Sequence, residues 1–101
     1  MRKWSKPVAL SRLREFEIPE RSGVYVLLGS LEDPSAVLKI GSARSLRRAF
    51  TREMEDPPEF RPIQPVGFLY FESVKESEEA SRFMEEFRRK RGERPMYNSG
   101  F

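Results

Sequence analysis

The side chains of this sequence best suited to chemistry are arginines. Arg44, Arg48 and Arg52 recur at i, i+4 and i+8, so a helix running through them carries all three on one face. Arg47 flanks the row and Lys39 precedes it. A guanidinium is planar, permanently charged and offers a fork of donors that matches phosphate oxygens. Such a row suits a nucleic-acid backbone, bound in a salt-sensitive and weakly sequence-specific way. It suits a solvated or ion-paired surface equally well, and both readings stand at this point. The later run Arg88-Arg89-Lys90-Arg91 has two readings as well. Cations in the last turn of a helix stabilise it by about 0.3–1 kcal/mol each, and they can also meet phosphate. Tyr25 and Tyr70 are either base-stacking groups or tyrosines at the edge of a core.

The chain has no histidine and no cysteine. That excludes histidine-based triads, Cys/His zinc sites, disulfide scaffolds and thiol catalysis. Any catalysis falls to Tyr, Lys, Arg, Glu, Asp, Ser or a bound metal. The net charge of +3 says little, but its distribution says more. Residues 1–54 hold 11 Lys/Arg against 6 Asp/Glu, while residues 55–101 hold 8 against 10. The basic half is therefore the half with the arginine row. Scarce amides, no cysteine and abundant Glu and Arg lean toward a heat-adapted composition. No run approaches the ~18 apolar residues of a membrane span, and no apolar stretch follows the basic start. The expectation is a cytoplasmic protein with no membrane partner. The 101 residues are one domain's worth of chain, 1–101, with no repeat and no internal linker.

The elements that must position these side chains follow from periodicity and turn residues. Ser11 is placed to cap a short helix through Phe16, with Leu13 and Phe16 turned inward and Pro19 beyond its end. Gly23 to Leu28 is apolar on both faces and reads as a central strand. Asp33-Pro34 marks a turn, and Ala36 to Gly41 reads as a second strand, hairpin-paired to the first. From about Ala43 the period changes. Leu46, Ala49 and Phe50 follow helical spacing to about Met54, with Ser42 or Ser45 as cap. Pro57, Pro58, Pro62 and Pro65 make 55–65 a stiff loop. Val66 to Phe71 is a third strand. Glu76 to Arg91 is a long helix with Ala80, Phe83, Met84 and Phe87 as its apolar stripe, closed by Gly92 and Pro95. The expected fold is α/β (α+β), with order ββαβα after an N-terminal helical segment.

Three stretches on this framework resemble a known family. Ser22-Gly23-Val24-Tyr25-Val26-Leu27 is similar to the first motif of GIY-YIG nuclease domains. Leu38-Lys39-Ile40-Gly41-Ser42-Ala43-Arg44-Ser45-Leu46-Arg47-Arg48 is similar to the second motif and its following helix. Glu79-Ala80 through Arg94-Pro95-Met96-Tyr97-Asn98 resembles the late helix and the closing Pro-x-Tyr-Asn. The likeness spans about residues 19–98. It implies a small domain with a three-stranded antiparallel sheet flanked by helices. Active members cleave phosphodiester bonds with one divalent metal, Mg²⁺ or Mn²⁺, two tyrosines, an arginine and a metal-binding glutamate. The chemistry is reasonable, because the metal polarises the phosphate while arginine steadies its charge.

Residue by residue, the likeness implies structural roles for Gly23, Gly41 and Asn98 and a catalytic place for Tyr25. Lys39 stands where the second tyrosine belongs, as it does in a phage-type branch of the family. The arginine position is Ala49, with Arg48 adjacent. The metal-ligand position is Met84 in the register of the late helix, while counting back from Asn98 gives Glu86, with Glu85 beside it. Three functions follow from this. The first is a nucleic-acid-binding domain with lost or impaired phosphodiesterase activity and no cofactor, binding DNA or RNA backbone through Lys39, Arg44, Arg47, Arg48 and Arg52. The second is an active endonuclease using Mg²⁺ or Mn²⁺ with Tyr25, Lys39, Arg48 and Glu86. The third is a protein-interaction module in which the arginines are solvated or paired. A homodimer or a protein partner is compatible with all three.

Overall fold

A computed structural model describes residues 3–55 and 63–98. Among these the sheet has four antiparallel strands in the order β1 (Val8–Ala9), β4 (Gly67–Glu72), β2 (Gly23–Leu28) and β3 (Val37–Ala43). The three-stranded sheet expected from the sequence is therefore extended by one edge strand. β1 is two residues long, too short to show a period-2 pattern. It pairs Val8 with Phe68 and Ala9 with Gly67. Flanking bonds lengthen the pairing, as Ser5 N donates to Tyr70 O at 2.7 Å and Leu10 N to Val66 O at 3.0 Å.

β2 is central because all six of its residues are buried, as its apolar character on both faces demands. Alternation divides them between two cores. Tyr25 and Leu27 point to one side with Phe68, and Val24, Val26 and Leu28 to the other with Ile40 and Phe71. Helix α1 (Leu46–Glu55) covers the Tyr25 side through Leu46, Ala49 and Phe50. Helix α2 (Glu76–Arg91) covers the opposite side through Ala80, Phe83, Met84 and Phe87. Trp4, from the weakly patterned start of the chain, packs edge-on to Phe71 in this second core.

Hairpin β2–β3 contains a register shift at the Leu27/Leu28 step. Leu27 pairs with Lys39 and Leu28 with Val37, so Leu38 is the extra residue. A bulge of this kind lets both Leu38 and Lys39 serve the α1 side, where strict alternation would separate them. The free edge of β3 is covered by the chain end. Tyr97 N donates to Leu38 O, and the Asn98 amide both accepts from Ile40 N and donates to Ile40 O. These bonds occupy the Leu38 and Ile40 positions of that edge.

Ser11 caps a 3-10 helix, Arg12–Glu17, rather than an α-helix. Its Leu13 and Phe16 are 91% and 77% exposed, which corrects the expectation that they face inward. The inward anchor of this segment is Ile18, fully buried just after the turn. α1 begins at Leu46, with Ser45 Oγ accepting from Arg48 N. α2 keeps its expected bounds and ends on Gly92 at φ 82°, the left-handed cap that glycine supplies without strain. No described helix is long and apolar enough to cross a membrane. Most of the proline-rich stretch, 56–62, lies outside the described residues.

Candidate nucleic-acid interface

Local structure decides which arginines are available. Arg48 and Arg52 are one helical turn apart on the outer face of α1, and both are exposed. Arg44 is exposed too, but it lies in the turn between β3 and α1. The helix begins two residues later than the i, i+4, i+8 pattern requires, because Ser45 takes the cap position. The row is thus two helical arginines with a third at its N-terminal end. Among the described residues, none of the three side chains forms an ion pair or hydrogen bond.

Arg47 differs. Its Nε donates to Ile18 O at 2.9 Å, its Nη1 meets Glu20 at 2.8 Å, and its guanidinium lies 5.2 Å from the Phe16 ring centre. This side chain fastens the 3-10 segment to α1, so it belongs to the scaffold. The late basic run is also partly committed. Arg88 and Arg89 pair with Glu85, and Arg91 reaches Ser35 O and the Phe87 ring. Arg88 holds the Glu85 carboxyl below the ordinary carboxylate range, chiefly by hydrogen bonding.

Acids also border α1, and Glu15, Glu20 and Glu55 share a shallow cleft with Arg47, Arg48 and Arg52. Glu15 accepts from the Thr51 hydroxyl, Glu20 from Arg47, Glu17 from Arg14, and Glu55 faces Arg12 at 3.9 Å. The charge on Arg48 and Arg52 is left facing solvent.

Beneath this surface lies a polar cluster that sequence reasoning missed. Glu53 is buried at 3% exposure. Its Oε2 accepts from the Tyr25 hydroxyl at 3.0 Å and from Lys39 Nζ at 2.6 Å. The signal was present in the sequence. Leu46, Ala49, Phe50 and Glu53 follow i, i+3, i+4, i+7, which puts one carboxylate on an apolar stripe. A buried acid must find donors, and Tyr25 and Lys39 supply them. Lys39 therefore meets a carboxylate before it meets any phosphate.

Of the residues that the resemblance ties to chemistry, Tyr25 and Lys39 meet at Glu53, while Arg48 and Glu86 do not join them. Tyr25 is 3% exposed, stacked on Phe68 at 5.2 Å between ring centres, and hydrogen-bonded to Glu53. No base can stack on it there. Tyr70 is Tyr25's cross-strand partner on β4 and is half-buried; burial and the charges of Glu72 and Glu17 raise its pKa. Ala49, which the resemblance puts at the arginine position, is fully buried on the inner face of α1. Arg48, one residue earlier, points outward. Met84, Glu85 and Glu86 stand on α2, across the sheet from Tyr25. Glu86 lines a hollow beside Phe71, Ser73 and Arg82. It does not fit a metal placed at Tyr25. Among the described residues no group of three or more acids is gathered that could hold a metal ion. Glu53, which accepts from Tyr25, already carries the Lys39 ammonium.

Gly23 and Gly41 owe their identity to close approach. A Cβ on Gly41 lies 2.5 Å from the Tyr25 ring, and one on Gly23 lies 2.2 Å from Phe71 O. Both fit the tight β2 surroundings whatever the chain's function. In comparisons with known proteins, no family model, no curated protein and no solved structure matched the chain.

Proposed function

We propose that this chain is a nucleic-acid-binding module of GIY-YIG type, with its phosphodiesterase activity lost or impaired. The observation that carries this reading is the solvent-facing charge of Arg44, Arg48 and Arg52, whose side chains form no ion pair among the described residues. Unpaired surface arginines gain most from a polyanion, because binding releases the counterions condensed on it. Arg47 supports the site by positioning α1, and Lys39 acts within the sheet by neutralising Glu53.

Loss of cleavage is the second part of the proposal. It draws support from the separation of Tyr25 and Glu86 across the sheet, and from the burial of Ala49 where an arginine would act. The test is charge reversal. Arg44→Glu, Arg48→Glu and Arg52→Glu together should abolish binding to DNA and RNA at low salt without altering the circular dichroism spectrum. Unchanged binding removes the reading. A nuclease-free preparation with Mg²⁺ or Mn²⁺ should leave plasmid, branched DNA and RNA intact. Cleavage that disappears in Tyr25→Phe and Glu86→Gln would restore the enzyme.

A further inference from the structure

The arginine row leaves two exposed apolar side chains next to it unexplained. Leu13 and Phe16 are three residues apart in a 3-10 helix, where such positions eclipse, so they form one apolar ridge. Neither side chain supports the core, and both are more than three-quarters exposed. Phe16 shares a shallow cleft of about 360 Å³ with Arg47, Arg48, Thr51 and Arg52.

The geometry around the ring is specific. One side of Phe16 is taken by the Arg47 guanidinium, itself fixed by Ile18 O and Glu20. Most of the ring's surface stays open to water. Three acids share the cleft wall with these arginines, and Glu15, whose partner is a neutral hydroxyl, keeps its charge. Glu15 is bonded to Thr51, Glu20 to Arg47 and Glu55 faces Arg12. The cleft thus combines an exposed aromatic ring with two arginines about one helical turn apart that form no ion pair among the described residues.

This combination distinguishes between nucleic-acid forms. A duplex hides its base faces in the stack and offers phosphates alone. A single strand offers both phosphates and open base faces, and aromatic platforms beside cationic tracks take it up with little regard to sequence. We propose that Phe16, with Arg48 and Arg52, forms a site for single-stranded nucleic acid, one base stacking on the ring while the arginines hold the adjoining phosphates. Leu13 extends the platform along the same ridge. The inference rests on the nucleic-acid reading above and narrows it to a ligand class.

The test measures fluorescence anisotropy of the full chain with dye-labelled single-stranded DNA of about 15 nucleotides, with RNA of the same sequence, and with the DNA duplex, all at low salt. Single strands should bind more tightly than duplex. Phe16→Ala should weaken single-strand binding roughly tenfold and leave duplex binding nearly unchanged, and Phe16→Trp should restore it. The Phe16 side chain is exposed, so these variants should keep the fold, and circular dichroism checks this. If Phe16→Ala binds single strands as the parent does, while Arg48→Glu with Arg52→Glu abolishes binding, stacking is overturned and the nucleic-acid reading survives. If Phe16→Ala weakens single strand and duplex equally, stacking is also overturned. If the unaltered chain binds neither form, both the reading and the inference fall.

Discussion

The Tyr25 hydroxyl donates to Glu53 Oε2 at 3.0 Å, joining the central strand to the helix that carries the exposed arginines. Lys39 donates to the same oxygen at 2.6 Å from the neighbouring strand. One carboxylate therefore ties β2, β3 and α1 together in a largely dry setting. Removing one partner of a buried ion pair strands the other, at a cost of about 3–5 kcal/mol, and replacing both by apolar groups of similar shape is often neutral. Lys39 is 28% exposed, so its loss should fall at or below the lower end. Lys39→Met should lower stability by roughly 2–3 kcal/mol, and adding Glu53→Leu should recover only part of it, because the buried Tyr25 hydroxyl then loses its acceptor. Urea denaturation of the two single variants and the double variant checks this. A Lys39→Met protein as stable as the parent would contradict it.

Gly41 and Tyr25 are cross-strand partners, and the Tyr25 ring lies over the glycine. Gly41→Ala drives a methyl into that ring and should cost about 1–3 kcal/mol, the usual penalty of overpacking. The same substitution in a Tyr25→Ala background should cost much less, because the obstructing atoms are gone. Gly23→Ala meets the Phe71 carbonyl, a backbone atom, and should be the more damaging single change. Thermal melts of the four variants and the parent give the comparison directly.

Asn98 latches the chain end to β3 through two hydrogen bonds with Ile40, at 2.7 and 2.9 Å. Asn98→Ala leaves a peptide N–H and a carbonyl of β3 without these partners. It should destabilise the protein by about 1–2 kcal/mol and speed exchange of the Ile40 amide selectively. Hydrogen exchange followed by NMR reads both effects. Unaltered Ile40 protection would show that the latch is unimportant.

Asp33 accepts from both the hydroxyl and the N–H of Ser35, at 2.6 and 2.9 Å. These bonds lower its pKa below the ordinary aspartate value, with a smaller contribution from the charge of Arg91. The folded chain therefore binds fewer protons here than the unfolded chain. The linked stability is present above the unfolded pKa and is lost as pH falls through the folded one. Carboxyl carbon NMR should show Asp33 titrating below a free aspartate, and Ser35→Ala should move it upward. An unshifted Asp33 in the parent would contradict the turn geometry.

Much of the architecture was legible because strong patterns carry it. The apolar run from Gly23 to Leu28 had to be central, and the periodic stretch from Glu76 to Arg91 had to be a capped helix. Weakly patterned residues were not legible. β1 is two residues long, and Trp4 joins the core from a segment with no periodicity. The proline-rich stretch was read as a stiff loop, and most of it lies outside the described residues. Leu13 and Phe16 read as buried because apolar residues three apart suggest an inward face, yet a 3-10 turn anchored by Ile18 leaves that face to solvent. At the site, spacing placed Arg48 and Arg52 together on one helical face. It could not show that Arg47 is committed to Glu20 and Ile18, since those partners come from a segment 27 and 29 residues away. Nor could it show Lys39 bonded to Glu53, although an acid on the apolar stripe of α1 called for a buried donor.

The central claim is that the uncommitted arginines beside α1 bind a phosphate backbone. The most direct measurement is the salt dependence of duplex DNA binding by the unaltered chain and by the Arg44→Ala, Arg48→Ala, Arg52→Ala variant. Each arginine that neutralises a phosphate contributes about −0.9 to the slope of log K against log salt concentration. The account predicts a variant slope shallower by roughly two to three, with weaker binding at every salt concentration. Identical slopes, or no salt-dependent binding by the unaltered chain, would contradict it.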